Sequence, residues 1–167
     1  MAITDRFLIV MGVSGSGKTT VARLLAQRLG WDFYEGDSFH PPENIAKMAH
    51  GIPLNDADRA PWLEALHALI LRCESDQRPG VLACSALKQK YRDELVAGTT
   101  GVRVVYLKGS YDLIWSRMEA RKGHYMKPDM LRSQFADLEE PSDALVVSID
   151  QTPAQIVDEI LARLQAG

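Results

Sequence analysis

Cysteine is scarce in this chain of 167 residues: Cys73 and Cys84 are the whole supply, and they form no CxxC pair. That spacing excludes a disulfide scaffold and a zinc ribbon, and two small residues in apolar surroundings read as buried hydrophobes. A basic surplus is missing too. Lys and Arg number 19 against 22 Asp and Glu, for a net charge of −3, which argues against a general nucleic-acid binder. Nowhere is there a run of about 18 apolar residues, the length a membrane span requires. The apolar block Phe7–Met11 is too short for a signal-peptide core, and no small-residue cleavage site follows it. The expectation is a cytoplasmic protein without membrane or nucleic-acid partners. Repeats, low-complexity tracts and linker-like charge runs are absent as well, and the length points to one domain over 1–167.

What the chain does have is short apolar runs alternating with segments of helical period. Strands are expected over 7–11, 31–34, 81–84, 102–107 and 145–149. Helices are expected over 18–29, over 41–49 with Gly51 as the stop, and over 61–73, where Leu63, Leu66, Leu69 and Ile70 share a face. Further helices carry Leu87, Tyr91 and Leu95; Leu113, Ile114 and Met118 behind a Ser110 cap; Leu131, Phe135 and Leu138; and 153–164 behind a Thr152 cap. This alternation predicts an α/β doubly wound, five-stranded parallel sheet with helices on both faces.

Directly after the first run, Gly12-Val13-Ser14-Gly15-Ser16-Gly17-Lys18-Thr19 matches GxxxxGK[ST], and it opens a helix. Strand, glycine-rich turn and helix start form the context of a P-loop NTPase. Glycines let the backbone approach an anion closely, so that successive N–H groups, with Thr20 the last of them, point at phosphate oxygens. The dipole of the following helix favours charge at the same place. Lys18 is expected to bridge the β- and γ-phosphates of ATP, and Thr19 to hold Mg²⁺ through its hydroxyl.

A GTPase switch would need DxxG and NKxD, and neither occurs. A motor ATPase would want an acidic residue closing the third strand, which ends instead at Cys84-Ser85; Asp150 follows the last strand and reads as a loop residue beside the nucleotide base at most. Three features point to phosphoryl transfer onto a small molecule. Asp37 closes the second strand, expected alongside the first, where a carboxylate accepts a hydroxyl proton or orients a magnesium water; a turn cap is its other reading. Leu54-Asn-Asp-Ala-Asp-Arg-Ala-Pro-Trp62 gathers polar groups around Arg59, whose guanidinium fork suits a carboxylate; the competing reading makes Asp56 and Asp58 helix-start residues and Arg59 a surface ion pair. Finally, Arg117, Arg121, Lys122, Lys127 and Arg132, with His124 among them, stand against Glu119 and Asp129, a local +3 in a chain of −3. That stretch, about 117–132, is read as a basic lid that neutralises γ-phosphate charge and excludes water; a solvated basic face is the alternative.

These blocks carry a resemblance. The phosphate loop, Gly36-Asp-x-x-His-Pro-x-x-Asn-x-x-Lys-Met48, Pro53-Leu-x-Asp-x-Asp-Arg-x-Pro-Trp-Leu63, 84–93, 120–124 and Gln134-Phe135 with Leu138-Glu-Glu-Pro141 closely resemble the gluconokinases of the thermoresistant type, over essentially the whole chain. The resemblance implies ATP-dependent phosphorylation of D-gluconate at its 6-hydroxyl, giving 6-phosphogluconate and ADP. It also implies an architecture like that of shikimate and nucleoside-monophosphate kinases, and a homodimer. Gluconate is a linear polyol ending in a carboxylate, so its site wants a cation at one end and hydroxyl partners along the rest. His40, Arg59 and Lys88 or Arg92 are the expected providers, Asp37 the base or orienter, and Arg117, Arg121 and Lys122 the stabilisers of transferred charge. A kinase for another small acid such as shikimate is the nearest alternative, and Ser85-Ala-Leu-Lys88 argues against it because shikimate kinases usually carry a glycine cluster there. A nucleotide-dependent gluconate sensor would keep the loop without needing a lid.

Overall fold

The computed structural model of the chain describes residues 4–120 and 128–166. Its strands are β1 (Phe7–Met11), β2 (Asp32–Glu35), β3 (Gly80–Ala83), β4 (Val102–Lys108) and β5 (Leu145–Ser148). They pair in parallel in the order β2-β3-β1-β4-β5. The helices are α1 (Lys18–Leu29), α2 (Pro42–Ala49), α3 (Asp56–Ser75), α4 (Gln89–Val96), α5 (Tyr111–Ala120), α6 (Pro128–Asp137) and α7 (Pro153–Ala166), with a 3-10 turn over Gly36–Phe39. This is the α/β P-loop architecture the periodicities predict. Among the described residues no helix is long and apolar enough to cross a membrane.

Central β1 is flanked on both edges and covered on both faces, so every one of its residues is apolar and buried. Alternation along the strand divides the core in two. Leu8 and Val10 pack with Leu25 of α1 and Ile156 and Ile160 of α7. Phe7, Ile9 and Met11 pack on the other side with Trp62, Leu66 and Ile70 of α3 and Leu95 of α4. The carboxyl end of β1 is thereby fixed, and the phosphate loop starts from it.

Two expectations are corrected here. β2 does not lie beside β1. Helix α1 packs over both β3 and β2, the crossover passes over one strand position, and β3 fills the slot. Asp37 therefore reaches the phosphate loop across the end of β3. Helix α3 also begins before Pro61. Asn55 and Asp58 form a capping box, with the Asp58 N–H donating to Asn55 Oδ1 at 2.8 Å and the Asn55 N–H to Asp58 Oδ2 at 3.0 Å. This box starts the helix at Asp56 and leaves Pro61 inside it. The Ser110 and Thr152 caps form as expected, on the N–H groups of Leu113 and Gln155. Of the stretch read as a lid, Arg117 lies in the last turn of α5 and Arg132 in α6, while Arg121, Lys122, His124 and Lys127 fall outside the described residues.

The turn that carries Asp37 sits against β3. A Cβ added at Gly36 would lie 2.5 Å from the Ala83 carbonyl oxygen and 3.3 Å from Cys84 Cα, main-chain atoms that cannot swing aside. Gly36→Ala is therefore expected to destabilise the fold by about 1–3 kcal/mol, as overpacking does. An unchanged urea midpoint would show that the turn has room the structure does not give it.

Candidate active site

The loop after β1 is held at both ends. The Gly12 N–H donates to the Ser85 carbonyl beyond β3 at 3.4 Å, and the Ser16 N–H to Val13 O at 3.2 Å. Gly15 (φ 80°) and Gly17 (φ 91°) are left-handed, which a side chain would resist. Gly17 caps α1 without any side-chain hydrogen bond, so the free N–H groups of the first turn remain available to an anion. The Ser16 hydroxyl is buried without a hydrogen-bond partner among the described residues, and Lys18 Nζ reaches back to Val13 O at 3.0 Å. Unpaired donors around one cradle, with Thr19 and Thr20 on the first turn of α1, fit a polyphosphate.

The acids come from the end of β2. Thr19 Oγ1 donates to Glu35 Oε2 at 2.5 Å, a contact that sequence reasoning missed. Its only signal was the spacing Glu35-x-Asp37 at a strand end. Burial pulls the Lys18 pKa below the ordinary lysine value, while Asp37, Cys84 and Glu35 oppose that shift; burial pushes the Cys84 thiol up to about 12. Hydroxyl and carboxylate oxygens are the hard donors magnesium takes. No three His, Cys, Asp or Glu side chains converge on a metal position among the described residues; Thr19 Oγ1 and Glu35 Oε2 are the donors an ion brought in with phosphate oxygens would find.

Beside the loop opens a cavity of about 220 Å³, where Lys18, Asp37, His40, Arg59, Ser14 and Gln134 meet. His40 is buried and stacked on Trp62, centroids 4.3 Å apart and planes at 12°. The Trp62 indole N–H donates to the Gly36 carbonyl at 2.8 Å. Arg59 Nη1 donates to the Tyr91 hydroxyl at 2.9 Å, and Nη2 lies 3.6 Å from Asp137 of α6. Tyr91 in turn donates to Asp56, which Lys90 also holds; these two bonds lower the Asp56 pKa to about 2. Asp56 and Asp58 thus do start the helix, while Arg59 directly after them lines the cavity. Gln134, also from α6, accepts from the Ser14 N–H at 2.6 Å and donates to Ser14 Oγ at 2.9 Å. A larger groove, about 440 Å³, lies by Arg6, Cys73 and Val102 and contains none of the motif residues.

The sequence pattern of the family described as shikimate kinase matches residues 14–165. A probable gluconokinase of Mus musculus is 46% identical over 95% of this chain and 97% of its own length. The thermoresistant gluconokinase of Escherichia coli (strain K12) is 45% identical over 95% of this chain and 93% of its own. The chain belongs to the gluconokinases, within the shikimate kinase family. A crystal structure of a gluconokinase from Sinorhizobium meliloti 1021 superposes with a TM-score of 0.90 at 42% identity, covering 99% of this chain and 94% of that one.

Within this gluconokinase-family chain the remaining expected residues divide. Lys88 stays outside the cavity lining; its ammonium lies 5.8 Å from the Tyr91 ring centroid and 3.9 Å from Asp56. Arg117 lines a second cavity, also about 220 Å³, with Gly15, Gly17, Thr20, Gln151 and Pro153 on the outer side of the loop. Asp150, exposed after β5, directly precedes that cavity's Gln151.

Arg92 is a correction. Its guanidinium does not line the cavity beside the phosphate loop. It is buried and donates to three main-chain carbonyls and one side-chain amide: Nη1 to Ala86 O (2.7 Å) and Leu87 O (3.1 Å), Nη2 to Glu139 O (2.7 Å) and Gln89 Oε1 (3.0 Å). The clamp holds a turn in which Ala86 takes φ 44°, a left-handed conformation that costs a residue with a Cβ about 1–2 kcal/mol. Leu87, next in the turn, lines the cavity, so Arg92 shapes the wall from behind it. Because a lysine cannot reach all four acceptors, Arg92→Lys is expected to lower stability by about 2 kcal/mol or more, the cost of stranding buried carbonyls. Guanidinium denaturation measures it; wild-type stability would mean the clamp carries no load.

Proposed function

We propose that this kinase transfers the γ-phosphoryl group of ATP to the 6-hydroxyl of D-gluconate, giving 6-phospho-D-gluconate and ADP. The observation that carries this reading is the meeting of Lys18, Asp37, His40 and Arg59 around one cavity: a phosphate cation, an acid, a hydroxyl partner and a carboxylate partner within reach of one small linear acid. The names of the relatives support the choice of gluconate.

Main-chain N–H groups of Gly15 and of Gly17 to Thr20 and the Lys18 ammonium hold the triphosphate with its terminal group toward the cavity. Arg59 takes the substrate carboxylate, its Nη2 exchanging Asp137 for the incoming oxygens, and His40 takes a hydroxyl along the chain. This leaves the 6-hydroxyl at Asp37. Its oxygen forms a bond to the γ-phosphorus as the bond from that phosphorus to the β,γ-bridging oxygen breaks. The electron pair of the broken bond leaves with ADP, and the hydroxyl proton passes to Asp37. Thr19 and Glu35, with phosphate oxygens, would hold a magnesium ion, which would neutralise charge on the β- and γ-phosphates. Lys18, with Arg117 from the outer side of the loop, offsets charge on the equatorial oxygens, and Arg121 and Lys122 add to it from a basic lid over 117–132. Positioning and charge stabilisation are the main work of such a site, because phosphoryl transfer asks for little covalent chemistry from the protein. The reading extends to a single domain over 1–167, a homodimer and a cytoplasmic location.

Release of ADP measured over gluconate, shikimate and nucleoside monophosphates tests the substrate: turnover with gluconate is expected, and release with none of them would favour a nucleotide-dependent sensor. Asp37→Asn is expected to lower kcat at least about 10²-fold, the low end for losing a general base, with ATP affinity nearly unchanged, and Lys18→Met to abolish transfer; wild-type turnover in either removes that residue from the mechanism. Glu35→Gln is expected to raise the magnesium concentration needed for half-maximal rate several-fold. A magnesium titration that does not move would leave Thr19 Oγ1 bonded to Glu35 for structural reasons alone.

A further inference from the structure

His40 and Arg92 were both expected to meet substrate, and the structure separates them by where their hydrogen bonds go. The bonds around His40 also fix its protonation. Asn44 of α2 is 2% exposed, and its Nδ2 lies 2.7 Å from the Asp58 carbonyl oxygen. A carbonyl only accepts, so the amide nitrogen has to face it; the flipped amide would set two acceptors against each other. The same nitrogen lies 3.1 Å from His40 Nδ1, and its second hydrogen is directed there. Nδ1 must take that hydrogen with a lone pair, and a neutral imidazole with its lone pair on Nδ1 carries its proton on Nε2.

We propose that Asn44 holds His40 in the neutral Nε2–H tautomer, making it a fixed hydrogen-bond donor to an acceptor oxygen of the polyol chain, between Asp37 and Arg59. This rests on the reading of the cavity as the sugar-acid site. Asn44 is a positioning residue: it acts through His40. The assignment gives each part of the cavity a different character, with an acceptor at Asp37, charged donors at Arg59 and an uncharged donor between them. An imidazolium would compete with the hydroxyl for Asp37 and would press a second N–H against the Asn44 amide.

The surroundings agree. Burial pulls the His40 pKa below 6.5, Asp37 on the 3-10 turn works against that shift, and Arg59 of α3 works with it. Lys18 of α1 and Asp137 of α6 line the same cavity, the Trp62 ring of α3 covers one face of the imidazole, and the Asp58 carboxylate is turned away to Lys47 Nζ at 2.9 Å. With the folded pKa lowered, the unfolded chain binds the extra proton on acidification, so stability contributed by neutral His40 is present above the ordinary histidine range and falls as pH drops through it.

The decisive measurement is two-bond ¹H–¹⁵N correlation spectroscopy of histidine-labelled full-length protein at neutral pH, with His40 assigned by its loss in His40→Gln. The expected result is a neutral ring protonated on Nε2; an Nδ1–H tautomer or an imidazolium overturns the proposal. In Asn44→Asp the carboxylate accepts from Nδ1–H, so the ring is expected to become an imidazolium at neutral pH and the acid limb of kcat/KM for gluconate to move up by about one pH unit, the shift an adjacent opposite charge produces, with KM for ATP unchanged. A pH profile identical to wild type in a folded Asn44→Asp protein counts against it equally. The spectrum does not depend on turnover: a neutral Nε2–H ring in a protein that ignores gluconate defeats the substrate reading alone, and an Nδ1–H ring in a protein that phosphorylates gluconate defeats this inference alone.

Discussion

The site depends on one convergence: main-chain N–H groups at the start of α1 turn toward a single point at the carboxyl edge of the sheet. Side chains do little to create it. Left-handed Gly15 and Gly17 bend the backbone, α1 begins without a side-chain cap to consume its free donors, and burial of β1 on both faces fixes where the loop starts. An anion is the natural complement to such a cluster. Lys18 and the acids at Glu35 and Asp37 take their meaning from their distance to that point, as does the order of the strands that brings β2 within reach of it across β3.

The rest of the cavity wall is held in place by bonds among its own lining residues and the groups behind them. Two motif blocks that stand apart in the chain form one network in space. Asn44 donates to the Asp58 carbonyl, Lys47 pairs with the Asp58 carboxylate, and Trp62 stacks on His40 while its indole N–H holds the Gly36 carbonyl. The 3-10 turn, α2 and α3 are thereby tied into one unit around Asp37. The opposite wall is tied just as closely by α6 and the turn after β3: Gln134 to Ser14, the Glu139 N–H to the Leu87 carbonyl at 2.8 Å, and Arg92 across Ala86, Leu87 and Glu139. Most of these bonds end on a main-chain carbonyl, whose position the fold fixes. The wall is therefore stiff, as the proposed binding of a small flexible acid in one pose requires.

Position in the chain decided how much of this was legible beforehand. The phosphate loop, β1 and the helix behind it were readable because the signal is local: a buried strand, three glycines and a Lys-Thr pair within 13 residues of one another, from Phe7 to Thr19. The start of α3 was legible in principle from Asn55 and Asp58, and was misplaced because Pro61 is a strong helix-start signal that the capping box overrides. Arg92 was misjudged for a different reason. A guanidinium in a motif suits a carboxylate, yet the acceptors it found are carbonyls at Ala86, Leu87 and Glu139, the last of them 47 residues away.

By itself the sequence determined the element types, the anion cradle and the family, since these follow from periodicity, glycine placement and motif spacing among neighbours in the chain. Only the tertiary structure decided that β3 separates β1 from β2, that Thr19 answers to Glu35, that Arg92 clamps a turn and that Asn44 governs His40. The physical reason is that a buried polar group must be satisfied by whatever partner the packing brings beside it, and which distant segments share a wall is written in the sheet order and helix packing, not in any local run of residues.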